Sequence, residues 1–149
     1  NGDAPFWARI QGVAVSTATP TVTIAPSATP VVEASGTASL MPDQAIDLDS
    51  GQSGQADEDD LALELNGEQQ YQLIPLNNAR IGISGTSRPG ITDCSGTLVA
   101  TDPIRLSEQQ NGMYLCYRTN HGLPGVLLLV KLPAQGAPLE LEYLTWAAP

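Results

Sequence analysis

Leu61-Ala-Leu-Glu-Leu-Asn-Gly-Glu-Gln-Gln-Tyr-Gln-Leu-Ile-Pro75 decides the fold class. Leu61, Leu63 and Leu65 alternate with Ala62 and Glu64, the period of a strand with one buried face. Asn66-Gly67 then supplies a type I′ turn, and Gln70-Tyr-Gln-Leu-Ile-Pro75 returns beside the first strand. Downstream, strands are expected at 80–84, 96–101, 113–119, 126–132 and 139–146. Clusters of Gly, Pro and Asn separate them, as in Gly85-Thr-Ser-Arg-Pro-Gly90 and Asn120-His-Gly-Leu-Pro-Gly125. About seven strands at this spacing, with no convincing helix, predict an all-β fold: a single β-sandwich, immunoglobulin-like or jelly-roll-like. Leu127-Leu-Leu-Val130 is apolar on both faces, so its strand is expected to be central or covered on its second side. In the last strand Leu139, Leu141 and Tyr143 should face the core, with Glu140 and Glu142 outward.

Upstream the composition changes. Residues 1–45 carry four charged side chains, Asp3, Arg9, Glu33 and Asp43, and residues 16–30 hold seven Ser/Thr and three Pro. Such a stretch cannot bury enough apolar surface to offset chain entropy, so an extended arm or stalk is expected over 1–45, before a sandwich over 46–149. Thr17, Thr19, Thr21, Thr23, Ser27 and Thr29 are the expected O-glycosylation positions of a stalk. Val13, Val15, Val22 and Ile24 alternate with Ala or Thr, however, which is the pattern of a strand lent to a neighbouring sheet. Pro5-Phe-Trp-Ala-Arg-Ile10 adds an aromatic and apolar patch, read as a plug for a hydrophobic groove or the trace of a membrane-proximal segment.

Charge narrows the partners. A formal net charge of −10 with six Lys+Arg disfavours nucleic acid and anionic membranes, both of which need clustered cations. The run Val126-Leu-Leu-Leu-Val130 is far too short to span a bilayer, so no membrane insertion of the mature chain is expected. A chain opening on Asn1 instead of Met is expected to be a processed product. Cys94 and Cys116, without CxxC or zinc spacing, are expected to form a disulfide worth about 3 kcal/mol, which implies an extracellular or surface location.

Half of the 16 acidic residues lie between Asp47 and Glu68. Asp47-Leu-Asp-Ser-Gly51 sets two carboxylates two residues apart beside a turn glycine, and hard oxygen donors at that spacing suit calcium. Asp47, Asp49, Asp57 and Asp59 are the expected ligands; no other cofactor is expected. Asp49-Ser-Gly51 also matches the core of the aspartic-protease signature, but Asp47-Leu48 stands where two apolar residues are required. His121, the sole histidine, sits in a turn, and nothing in the sequence orders a Ser-His-Asp set around it. Lys131, the sole lysine, reads as a strand-end residue that keeps its ammonium in water. No catalytic residues are therefore assigned, and no enzyme is expected.

Asp47-Leu-Asp-Ser-Gly51, Tyr114-Leu-Cys-Tyr-Arg-Thr-Asn120 and Leu144-Thr-Trp146 together resemble small β-modules at the C-termini of bacterial surface or sensor proteins. The β-branched arm ahead of a sandwich resembles the architecture of donor-strand pilins and related filament subunits. That resemblance implies an extracellular structural subunit joined head-to-tail to other copies of itself by strand donation. The other expectation is a stalked ligand-binding or sensor ectodomain with calcium in the acidic loop.

Overall fold

The hairpin is where the alternation places it. In the computed structural model, which describes residues 29–97 and 99–147, the strands are β1 (Val32–Leu40), β2 (Ala45–Ile46), β3 (Leu61–Leu65), β4 (Tyr71–Pro75), β5 (Arg80–Gly85), β6 (Ile104–Arg105), β7 (Tyr114–Arg118), β8 (Pro124–Lys131) and β9 (Leu139–Trp146). One short helix, α1 (Ile91–Gly96), stands between β5 and β6. Both sheets are antiparallel, in the orders β1-β9-β8-β7-β5 and β2-β3-β4-β6. One core joins them: Leu61, Leu63 and Leu73 from the smaller sheet pack with Leu115, Leu127, Leu129, Leu139 and Leu141 from the larger. The fold is an all-β sandwich, with the expected in–out alternation of β9 in place.

Three expectations change. Residues 32–40, placed in the arm by composition, form β1, paired with β9 from Val32↔Trp146 to Leu40↔Leu139. The sheet therefore starts at Val32 and not at residue 46. Leu40 is buried, and Ala34 and Ala38 pack on the core. Small residues suffice there because Gly36 lies under the Tyr143 ring, where a Cβ would meet the hydroxyl at 3.2 Å.

The turn between β3 and β4 is not type I′. Asn66 Oδ1 accepts from the N–H groups of Glu68 and Gln70, and the positive φ falls on Gln69 (61°) instead of Gly67. A side-chain acceptor at Asn66 thus takes over the backbone's role and lengthens the loop.

Cys94 and the start of the expected 96–101 strand lie in or at the end of α1. Gly90 N–H donates to Asp93 Oδ2 and Cys94 N–H to the Gly90 carbonyl, which closes a helical turn after Pro89. α1 lies on the outer face of the larger sheet, where Ile91, Cys94 and Val99 meet Cys116, Val126, Trp146 and Leu144. This is the second-side cover that the apolar β8 requires. Cys94 and Cys116 are disulfide-bonded, fastening α1 to β7.

The strand-donor residues Val13, Val15, Val22 and Ile24 lie outside the described residues, as do Thr17, Thr19, Thr21, Thr23 and Ser27. Thr29 is described and exposed. Among the described residues no helix is long and apolar enough to cross a membrane.

Candidate functional site

Three loops meet at one end of the sandwich: residues 47–51 after β2, residues 58–60 before β3, and the β7–β8 turn at 119–122. The Asp47 loop closes on itself. Asp47 Oδ1 accepts from Asp49 N–H at 2.9 Å, Asp47 Oδ2 from Ser50 Oγ at 2.6 Å, and Gly51 N–H donates to the Asp47 carbonyl. Gly51 has φ +79°, and a Cβ there would run into the Tyr143 hydroxyl, so the turn admits only glycine comfortably.

Asp60 ties the loops together. Fully buried, it accepts from Leu48 N–H through Oδ2 (2.7 Å) and from Asn120 N–H through Oδ1 (2.6 Å). A second buried chain runs beneath: Thr145 Oγ1 donates to the Leu48 carbonyl at 2.6 Å and is 2.6 Å from Tyr117 Oη. Burial drives the Tyr117 phenol upward, so it stays neutral, and Gly125 leaves the room its ring occupies.

Asp47, Asp49 and Asp60 each offer a carboxylate oxygen within 4.8 Å of the others. Asp47 and Asp60 are buried, and Asp49 is mostly so. Burial pushes the Asp60 carboxyl up to about 7; its two N–H donors oppose this, and the charges of Asp49 and Asp47 add to it. His121 Nδ1 lies 2.8 Å from Asp49 Oδ2 and Nε2 lies 3.4 Å from Glu58 Oε2. The hydrogen bond to Asp49 is the main cause that raises the imidazole above its usual 6.5, with the Asp49, Glu58 and Asp47 charges adding to it. Asp49 Oδ1 and Asn120 Oδ1 are buried without a hydrogen-bond partner.

The expected ligand set is therefore redrawn. Asp47 and Asp49 come together, but their third member is Asp60. Asp57 is exposed on a turn, and Asp59 lines a separate cleft with Asp43 and Gln44, its backbone carbonyl held by Asn77 Nδ2. Neighbouring residues entering a strand point to opposite sides, so Asp59 and Asp60 cannot both face one centre. Asp60, Asn120 and His121 were not singled out by spacing. The one available signal was the position of Asp60, against the first core residue of β3, where a carboxylate is carried inside with its strand.

The arrangement offers hard oxygen donors of high charge density, the chemistry of a calcium-type site. It does not offer a nucleophile–base pair: both nitrogens of His121 face carboxylates, and Ser50 Oγ donates to Asp47. Asp49, the aspartate of the Asp-Ser-Gly tripeptide, is engaged by His121. Lys131 is exposed at the end of β8, opposite Glu140. Comparison with protein-family models, curated proteins and solved structures returns no match for this chain.

Proposed function

We propose that this protein is a non-catalytic β-sandwich recognition module of the cell exterior, whose loop end is organised by a divalent cation of the calcium type. One observation carries the reading: Asp47, Asp49 and Asp60 converge from two loops, two of them buried, with His121 the one cationic partner among the described residues. Burying carboxylates together is costly unless a counter-charge accompanies them. The two backbone N–H donors on Asp60 favour its ionised form, but burial outweighs them and holds the carboxyl at about 7, so a cation beside it would supply the counter-charge the carboxylate lacks. Asp49 Oδ1 and Asn120 Oδ1, otherwise unpaired, would gain a partner. The disulfide supports an oxidising compartment.

The test is thermal unfolding of the full chain against calcium. The melting temperature should rise with calcium, by the equivalent of about 2.7 kcal/mol at a hundredfold excess over the dissociation constant. The rise should be absent in Asp49→Asn. A flat titration of the native chain rejects the cation reading.

A second reading, a subunit that joins copies head-to-tail by strand donation, is favoured by β1. This strand belongs to the arm-like half of the sequence and occupies a sheet edge, where pairing with β9 can be supplied within a chain or between chains. Electron microscopy separates the two readings. Filaments formed by the full chain support assembly; single particles remove it.

A further inference from the structure

A cleft of about 490 Å³ lies where the end of β1, the turn into β2 and residues 53–59 of the β2–β3 connection meet. That volume falls within the roughly 300–1,000 Å³ of small-ligand sites. Leu40, Ala45 and Ala56 give the cleft apolar wall, and its charges are Asp43, exposed, and Asp59, buried; no Lys, Arg or His lines it among the described residues. Asp59 is only 3% exposed, its Oδ1 is buried without a hydrogen-bond partner, and it enters none of the ion pairs among the described residues. Its backbone is clamped on both sides: Asp59 N–H donates to the Gln55 carbonyl at 2.8 Å, and its own carbonyl accepts from Asn77 Nδ2 at 2.9 Å. The turn beside it is equally fixed, with Asp43 N–H on the Leu63 carbonyl and Met41 N–H on Gln44 Oε1, each at 2.8 Å. A carboxylate held inside the fold without a counter-charge is costly unless a ligand supplies one.

We propose that the cleft takes a guanidinium group on an aliphatic stem, with the Asp59 carboxylate as its acceptor and Leu40, Ala45 and Ala56 along the stem. This goes beyond the calcium-type reading and uses none of Asp47, Asp49 and Asp60. A bare metal ion fits poorly here, because among the described residues only those three aspartates gather in metal-holding number. Guanidinium fits better than ammonium: it is more weakly hydrated, so it enters a buried site at lower cost, and its planar fork matches a carboxylate. The methylene stem covers apolar wall while the charge reaches the acid. Asp43, exposed on the same cleft, adds attraction of the same sign.

Amide chemical shifts of the full chain, titrated with butylguanidinium chloride at fixed ionic strength and with a calcium chelator present, test this. Saturable shifts centred on residues 39–45 and 53–59 are expected, with a dissociation constant on the order of 1 mM for so small a probe. Butylurea, the same shape without the charge, should give none. Binding should weaken at least about tenfold in Asp59→Asn, the loss of a charge-assisted hydrogen bond. Ser53→Tyr fills the cleft from its exposed rim and keeps every charge, so it should abolish binding, and it decides the matter if Asp59→Asn does not fold. A blocked pentapeptide with a central arginine identifies the source of the group. Binding as tight as that of butylguanidinium supports the site with an arginine side chain of a partner protein as occupant; exclusion of the peptide while butylguanidinium binds supports it with a free guanidine. Equal shifts with butylurea, binding unchanged in Ser53→Tyr, or drift without saturation across the acidic surface each overturns the proposal.

Discussion

Asp60 holds two backbone N–H groups in a place that resists its charge, and this gives the residue a pH signature. Its folded-state pKa of about 7 stands above the ordinary 3.8, so the folded protein binds this proton more tightly than the unfolded chain does. The contribution of Asp60 to stability should therefore fall as pH rises from about 4 to about 7 and level off beyond. His121 acts in the same direction. Its raised pKa makes the contacts to Asp49 and Glu58 fully stabilising below 6.5, and they are lost as pH climbs through the raised value. Melting temperature measured from pH 4 to 8 should decline overall. Asp60→Asn should remove the slope below neutrality, and His121→Gln the one near and above it. Saturating calcium should flatten the Asp60 part, because a cation favours the carboxylate. A profile unchanged by Asp60→Asn would show that Asp60 is not the titrating group.

At the scale of the element, sequence pattern and structure part at α1 and β1 as well as at the β3–β4 turn. The hairpin, β5, β7, β8 and β9 were legible because each carries a two-residue alternation or an apolar run between turn residues. Val-Glu-Ala-Ser-Gly-Thr-Ala-Ser-Leu, the nine residues of β1, has no large apolar residue between Val32 and Leu40. An edge strand over a tyrosine ring needs none, so its composition passes for a stalk. The strand expected over 96–101 gives way at its start to α1, because the local bonds from Gly90 and Asp93 close a helical turn over 91–96. Of the site, Asp47 and Asp49 were legible as neighbours in sequence. Asp60, Asn120 and His121 were not, because their meeting depends on how the sheets stack.

The disulfide tests this account of α1. With 22 residues of separation, its loss should cost about 3 kcal/mol in the chain-entropy model. The core between the sheets does not include α1, so Cys94→Ser/Cys116→Ser should keep its β-sheet circular dichroism while melting earlier. Amide exchange should quicken over residues 90–97 far more than over β3 and β4. Uniform quickening would mean that α1 is part of the global folding unit.

For the molecule as a whole, the question is whether β1 belongs to the body or to the arm. Removing residues 1–28 should leave the sandwich folded, since the described residues by themselves supply two paired sheets and the core between them. Removing residues 1–40 is a different operation. It strips Leu40, Ala34 and Ala38 from the core and leaves the outer edge of β9 unpaired, an edge that promotes association. That truncated chain should melt lower and self-associate. A synthetic peptide of residues 31–41, added in excess, should restore the melting temperature and return the chain to a single species, because the missing pairing is recoverable from outside. Rescue would establish that β1 can be supplied by another molecule, the physical requirement of strand donation. A truncated chain that stays folded, monomeric and indifferent to the peptide would make β1 dispensable, and would leave cation binding at the Asp47–Asp49–Asp60 end as the property around which function is organised.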